Sequence, residues 1–393
     1  MFALTAPFPW GTDTDVNEAG MPLAPGFVGD LSMASTATTL LTKRLRNHLL
    51  VESTRRKPEQ VVSWLCAMQA QDFSAAKWAV ASRAPGCQEG DVEQAFNDGL
   101  ILRTHVLRPT WHFVTPHDIR WLLALSASRI HAANDYYYRQ ADLDAKTFAK
   151  ACAMIHRVLE GGKTMTRAEL AVYLKRAKIP ADGLKLAYLM MHAELEGVIC
   201  SGPRRAKQFT YALLDERAPK GKTLERAEAL AELATRYFSS HGPATVRDFA
   251  WWSGMTIKDA QRAAESANDL EFSSVGGIVH WTAKDSDAAP FKGVCGLLLP
   301  NYDEYLIAYK DRAPFVDASR AANIVARSNG AFANHLAIDG CLAGSWSRTL
   351  RTTSVLIEVA PYKKLTPAQL RSVNNAADCY GEFLGLKPTL AIV

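Results

Sequence analysis

Two glutamines one residue apart, Gln69 and Gln71, close the run Trp64-Leu65-Cys66-Ala67-Met68-Gln69-Ala70-Gln71-Asp72-Phe73 and lead directly into an acid. Continued as a helix, the segment would point the two amides about 200° apart. Turned extended after Met68, it would put both on one face. Paired amides can read the polar edge of a base or hold a water, although a neutral amide takes a proton poorly at pH 7. Asp72 could supply charge beside them if it turns inward. In the competing reading the glutamines cap the preceding helix and bond its backbone.

Thr110 and His112 share one face of an expected strand, where His112 could contact a nucleotide. His105, His112 and His117 lie close in sequence, but their spacing fits no compact metal site, and a structural histidine at a domain interface is the alternative. Asp303-Glu304 follows a strand and a proline. Such a carboxylate pair could stabilise a cationic sugar or base, or it could cap residues 305–309 or pair with Lys310 and Arg312. For phosphates the candidates are Lys43, Arg44 and Arg46 on the first helix, Arg204, Arg205 and Lys207 in a later turn, and Arg348 and Arg351. The sequence has no glycine-rich phosphate loop, zinc signature or Gly-x-Ser-x-Gly elbow, so neither a metal nor a cofactor is expected.

The chain that must hold these residues has 393 residues, 48% hydrophobic and 22% charged, with net charge +5. This is ordinary globular composition for two to four domains. The seven cysteines are scattered, with no Cys-x-x-Cys pair, which implies reduced thiols and a cytoplasmic location. No apolar run reaches the roughly 18 residues needed to cross a bilayer.

Residues 1–33 carry no periodicity and read as a disordered extension, with Met33 a candidate natural start. Helical spacing begins at residue 42, and Pro58 opens a second helix with Val61, Val62, Leu65 and Met68 as its apolar stripe. Further helices are expected over 75–83 and, capped by Asp91, over 92–98, followed by strands at 100–107 and 110–114 and a long helix from Pro116. A repeat follows. Residues 148–159 and 227–239 start each copy. Thr166-Arg167-Ala168-Glu169 and Thr245-Val246-Arg247-Asp248 open the second helices, and hairpins close both. The fold class expected is α+β: three tandem winged-helix units (34–140, 141–218 and 219–285), then a C-terminal α+β domain (286–393) with a mostly antiparallel sheet.

The motifs Gln69-Ala70-Gln71, residues 102–104, Leu107-Arg108-Pro109-Thr110-Trp111-His112-Phe113-Val114, residues 240–245, Leu298-Leu299-Pro300-Asn301-Tyr302-Asp303-Glu304-Tyr305 and residues 339–346 resemble the winged-helix DNA glycosylases of the AlkZ and YcaQ type. The resemblance runs from about residue 42 to the end. The family's Gln-x-Gln or Gln-x-Asp signature mostly has a bulky apolar centre, and here the centre is Ala70. It implies excision of alkylated or crosslinked bases from double-stranded DNA by a monomer, with Gln69 and Gln71 catalytic and Asp72, Thr110, His112, Asp303 and Glu304 binding substrate. A non-catalytic DNA-binding or regulatory winged-helix protein is the alternative. The expected third helix of the middle unit, rich in Leu and Met, offers a packing surface rather than a reading surface.

Overall fold

A computed structural model describes residues 31–218, 220–221, 224–284, 291, 293–316 and 333–393. Residues 1–30 of the expected tail and the expected linker 285–290 lie outside these. Helix α1 spans Leu31–Asn47, so the helical structure begins before the expected boundary and includes Met33.

In the first part, α2 (Pro58–Leu65) starts on a proline whose fixed φ suits a first turn. It ends at Cys66, whose φ is +67°, and the chain becomes the short strand β1 (Met68–Gln69). Helices α3 (Phe73–Ala81) and α4 (Glu89–Asn97) follow, then strands β2 (Leu102–Val106) and β3 (Arg108–Val114). Asp91 does not precede α4 as expected. It lies in the first turn, where its Oδ2 accepts the Gln88 N–H at 2.8 Å. The three strands form an antiparallel sheet in the order β1-β3-β2. Helix α5 (Ile119–Gln140) leaves this unit three residues later than Pro116 suggested, after Thr115 Oγ1 bonds Asp118.

The middle part contains α6 (Ala145–Leu159), β4 (Met165–Thr166), α7 (Arg167–Arg176), α8 (Gly183–Leu195), β5 (Ile199–Ser201), β6 (Thr210–Leu213) and the single turn α9 (Leu214–Arg217). Its sheet order, β4-β6-β5, repeats that of the first. The next part contains α10 (Arg226–His241), α11 (Val246–Ser253), α12 (Ile257–Ser266) and the hairpin β7 (Leu270–Val275) with β8 (Ile278–Ala283). Gly276 and Gly277 take the positive φ, 59° and 80°, that a two-residue hairpin turn requires. The expected capping boxes are present: Glu169 N–H donates to Thr166 Oγ1 at 3.2 Å, and Asp248 N–H to Thr245 Oγ1 at 3.1 Å.

The C-terminal part holds β9 (Gly296–Leu299), the turn α13 (Glu304–Ile307), β10 (His335–Ile338), β11 (Cys341–Leu350), β12 (Ser354–Pro361), α14 (Pro367–Leu384) and β13 (Lys387–Ile392). They form a five-stranded sheet, β13-β12-β11-β10-β9. All its pairs are antiparallel except β12 with β13, which α14 joins as a parallel crossover. β13 has no clean alternation of buried and exposed residues and was not expected.

These parts share cores. Phe73, Trp78, Phe96 and Phe113 of the first pack with Trp346, Tyr380 and Phe383 of the C-terminal part. The Trp78 indole donates to the Leu298 carbonyl at 2.7 Å. Helix α10 packs against α1, α2, α5 and α12. None of the seven cysteines is in a disulfide, and among the described residues no helix is long and apolar enough to cross a membrane.

Candidate active site

The chain turns extended at Met68 and Gln69, but the strand ends there: Ala70 lies outside it and Gln71 is in a bend, and the backbone of Gln69 and Ala70 is pinned at three points. Gln69 N–H donates to Glu304 Oε1 at 2.6 Å, Ala70 N–H donates to the Trp111 carbonyl at 2.7 Å, and the Ala70 carbonyl accepts Arg103 Nε at 2.9 Å. Gln69 is buried, whereas Gln71, just beyond the ladder, is half-buried.

Across the sheet Gln69 pairs with His112, and His112 pairs with Thr104. Opposed residues in antiparallel strands share a face with Cβ atoms about 5 Å apart, so an amide, an imidazole and a hydroxyl form one row. Arg108, paired with Val106, returns to that face beyond a register shift that takes in Pro109 and Thr110. Among the described residues, Thr104 Oγ1, Thr110 Oγ1, His112 Nε2 and Arg108 Nε and Nη2 are shielded from solvent and have no hydrogen-bond partner. Buried polar atoms without partners are rare and costly, so the row is suited to a polar occupant. His112 Nδ1 lies 2.9 Å from the Thr110 carbonyl and so must donate to it. In the neutral ring this leaves Nε2 as a lone-pair acceptor. Burial, aided by Arg108, holds the imidazole well below its ordinary pKa. Burial also lowers the Arg108 guanidinium, which the Glu304 charge opposes.

Glu304 is almost fully buried at the edge of β1. Besides Gln69 it accepts the Trp252 indole N–H at 3.1 Å, and His241 Nε2 lies 3.7 Å from its Oε2. Three parts of the chain therefore meet on this carboxylate. Asp303 has a different task. It caps α13 through the Tyr305 N–H and forms a two-pronged, fully buried ion pair with Arg83, at 2.6 and 3.0 Å. The cap was expected, but Arg83 replaces the expected partners Lys310 and Arg312. Asp72 does not turn inward. It is exposed and caps α3 through the Ala75 N–H at 3.0 Å. His105 lies on the opposite face of the sheet from His112 and bonds Glu194 of α8, the structural interface role foreseen for such a histidine.

The basic residues fare unevenly. Arg44 is buried, donates to the Pro243 carbonyl at 2.9 Å and stacks on Tyr309, so it is not a phosphate contact. Arg46 pairs with Glu52 at 2.6 Å, and Lys43 is half-buried. Arg204 is held by Glu93 at 3.1 Å over the rings of Phe73 and Phe209. Arg205 pairs with Glu169 at 2.8 Å. Arg348 is half-buried beside the Tyr380 ring. Lys207 and Arg351 are exposed. Sequence reasoning gave no role to Arg103 or to Trp252. Their partners, Ala70 and Glu304, lie 33 and 52 residues away.

An amide and a lone-pair imidazole on a mixed α/β scaffold fit a hydrolase that works with an oriented water. The family described as "DNA glycosylase AlkZ-like" matches residues 62–383, and the chain belongs to it. It is thus a member of a DNA glycosylase family. An interstrand DNA cross-link repair glycosylase of Streptomyces sahachiroi is 25% identical over 319 residues, 77% of this chain and 85% of that protein. The solved structure of the Streptomyces sahachiroi DNA glycosylase AlkZ matches 91% of this chain and 99% of its own, with TM-score 0.76 at 21% identity, and shares the mixed α/β fold.

Proposed function

We propose that this protein is a monofunctional glycosylase that hydrolyses the N-glycosidic bond of alkylated or crosslinked bases in double-stranded DNA. The observation that carries this reading is the triply pinned Gln69-Ala70 backbone beside the unpartnered His112 Nε2. A base alkylated at a ring nitrogen is cationic and leaves readily, so the site needs to hold a sugar cation and place a water at its anomeric carbon. The Gln69 amide and His112 Nε2 orient that water, Gln71 closes the site from its half-buried position, and Thr104 and Thr110 supply hydroxyls. Glu304 contributes negative charge behind the strand and fixes Gln69. Arg108 sits in the same recess as a donor. The relative's printed description adds interstrand cross-links to the candidate lesions.

We read the three helix-and-hairpin parts as winged-helix units over 34–140, 141–218 and 219–285, with 286–393 as the α+β domain, acting as a cytoplasmic monomer. A regulator that reads sequence is disfavoured, because Leu189, Met190 and Met191 of α8 are buried. Lys207 and Arg351 remain as phosphate contacts. The test is base release from duplexes carrying an N7-alkylguanine or an N7-linked interstrand cross-link, with Gln69→Ala and Gln71→Ala beside the unaltered protein. Release that both substitutions abolish supports the assignment, and release that survives both rejects it.

A further inference from the structure

Away from the recess, α5 and α8 cross with two histidines and a glutamate facing one another. His131 comes from α5. His192 and Glu196, four residues apart and so on one face, come from the last turn of α8 and its cap. One ligand atom from each lies within 4.8 Å of the other two. His131 Nε2 is 3.0 Å from Glu196 Oε1, and the two imidazole centroids are 4.7 Å apart. We propose that His131, His192 and Glu196 form a binding site for a borderline divalent transition ion of the zinc type, clamping the long helix α5 to the middle part of the chain.

Each ring is braced on its other side, as metal-binding histidines commonly are. His131 Nδ1 faces the Tyr138 hydroxyl at 3.3 Å, and His192 Nδ1 faces Cys152 Sγ at 3.8 Å. Phe148 lies flat on His192, with centroids 4.0 Å apart and planes 10° from parallel, which fixes the ring's orientation. Two imidazoles and one carboxylate are a donor set suited to Zn²⁺, leaving a further position for water. That position has room: an open groove of about 530 Å³ is lined by Ser128, His131, Leu195 and Glu196. Arg120, the cation on the same groove, is occupied by Asp215 at 2.7 Å and the Ala218 carbonyl at 3.2 Å.

The test uses the full chain, stripped with EDTA and titrated with zinc chloride by calorimetry, with bound metal measured after dialysis and melting followed with and without zinc. The expected result is one ion per chain and a zinc-dependent rise in Tm. Both should be weakened about tenfold or more in affinity by His131→Ala, by His192→Ala and by Glu196→Gln, whose exposed side chain makes it the variant that keeps the fold. His156→Ala, which removes an exposed His156–Glu160 pair elsewhere, serves as the control and should bind like the unaltered protein. No stoichiometric uptake, or uptake unchanged in all the variants, overturns the proposal. Base release is a separate readout, so failure here leaves the glycosylase assignment standing.

Discussion

Replacing Glu304 by Gln tests whether a buried charge behind β1 governs the geometry of the amide in front of it. The carboxylate accepts two buried donors, the Gln69 backbone N–H at 2.6 Å and the Trp252 indole at 3.1 Å. Hydrogen bonds to a charged group contribute about 1.5–3 kcal/mol each. Gln has nearly the same volume but one carbonyl oxygen, so one of the two donors must face an NH2 group instead. Losing about 2 kcal/mol at the strand that carries Gln69, expressed in the reactive geometry, slows the chemical step about 30-fold. The substitution also takes away the negative charge that opposes desolvation of Arg108, so the effect should exceed that of Trp252→Phe, which removes one donor and leaves the charge. The assay is single-turnover base release from an N7-alkylguanine duplex, run well below the melting temperature of each variant and beside duplex binding measured at one salt concentration. If Glu304→Gln releases base within about twofold of the unaltered protein while melting lower, Glu304 is a packing group and the reasoning fails.

Other expectations follow from the same contacts. Asp303→Asn should cost about 3–5 kcal/mol of unfolding free energy in urea, because it leaves the fully buried Arg83 uncompensated; a cost below about 1 kcal/mol would show the pair to be solvated. Burial holds His48, His112 and His241 below their ordinary pKa in the folded chain. The unfolded chain therefore takes up these protons first as pH falls through about 6.5, and stability present above that pH is lost at about 1.4 kcal/mol per pH unit per histidine. Unfolding free energies that stay level between pH 7.5 and 5.5 would contradict this. Arg44→Ala should lower Tm yet leave the salt dependence of duplex binding unchanged, whereas Lys207→Ala or Arg351→Ala should reduce the slope of log K against log salt by about one each. A reduced slope in Arg44→Ala would place that side chain on DNA after all.

The parts legible in the sequence were those set by neighbours along the chain. The Thr166 and Thr245 boxes and the Gly276-Gly277 turn rest on local spacing, and the structure keeps them. What failed depended on distant partners. Helical spacing put Arg44 on the polar side of α1 with Lys43. The carbonyl it serves is 199 residues away, and the ring it stacks on belongs to Tyr309. Asp303 was given nearby lysine and arginine partners, but Arg83, 220 residues back, is the one it pairs with. Arg204 looked like the centre of a basic turn until Glu93 and two aromatic rings enclosed it. In each case burial removed a charge from the surface, and burial is a property of the assembled chain.

That failure bears on how the site works. The glutamine step starts at the last residue of β1, a strand of only two residues at the edge of its sheet, and such an edge has little stability of its own. It is held by Glu304 from the C-terminal part, which is itself engaged by Trp252 and approached by His241 of the third. Arg103 grips the Ala70 carbonyl from β2, and its guanidinium is sandwiched between Trp111 and Phe209, the latter from the middle part. Every part of the chain thus contributes a contact one or two bonds from the step. A site fixed in this way is pre-organised by the whole assembly, so substitutions at the interfaces between parts should slow base release before they unfold the protein.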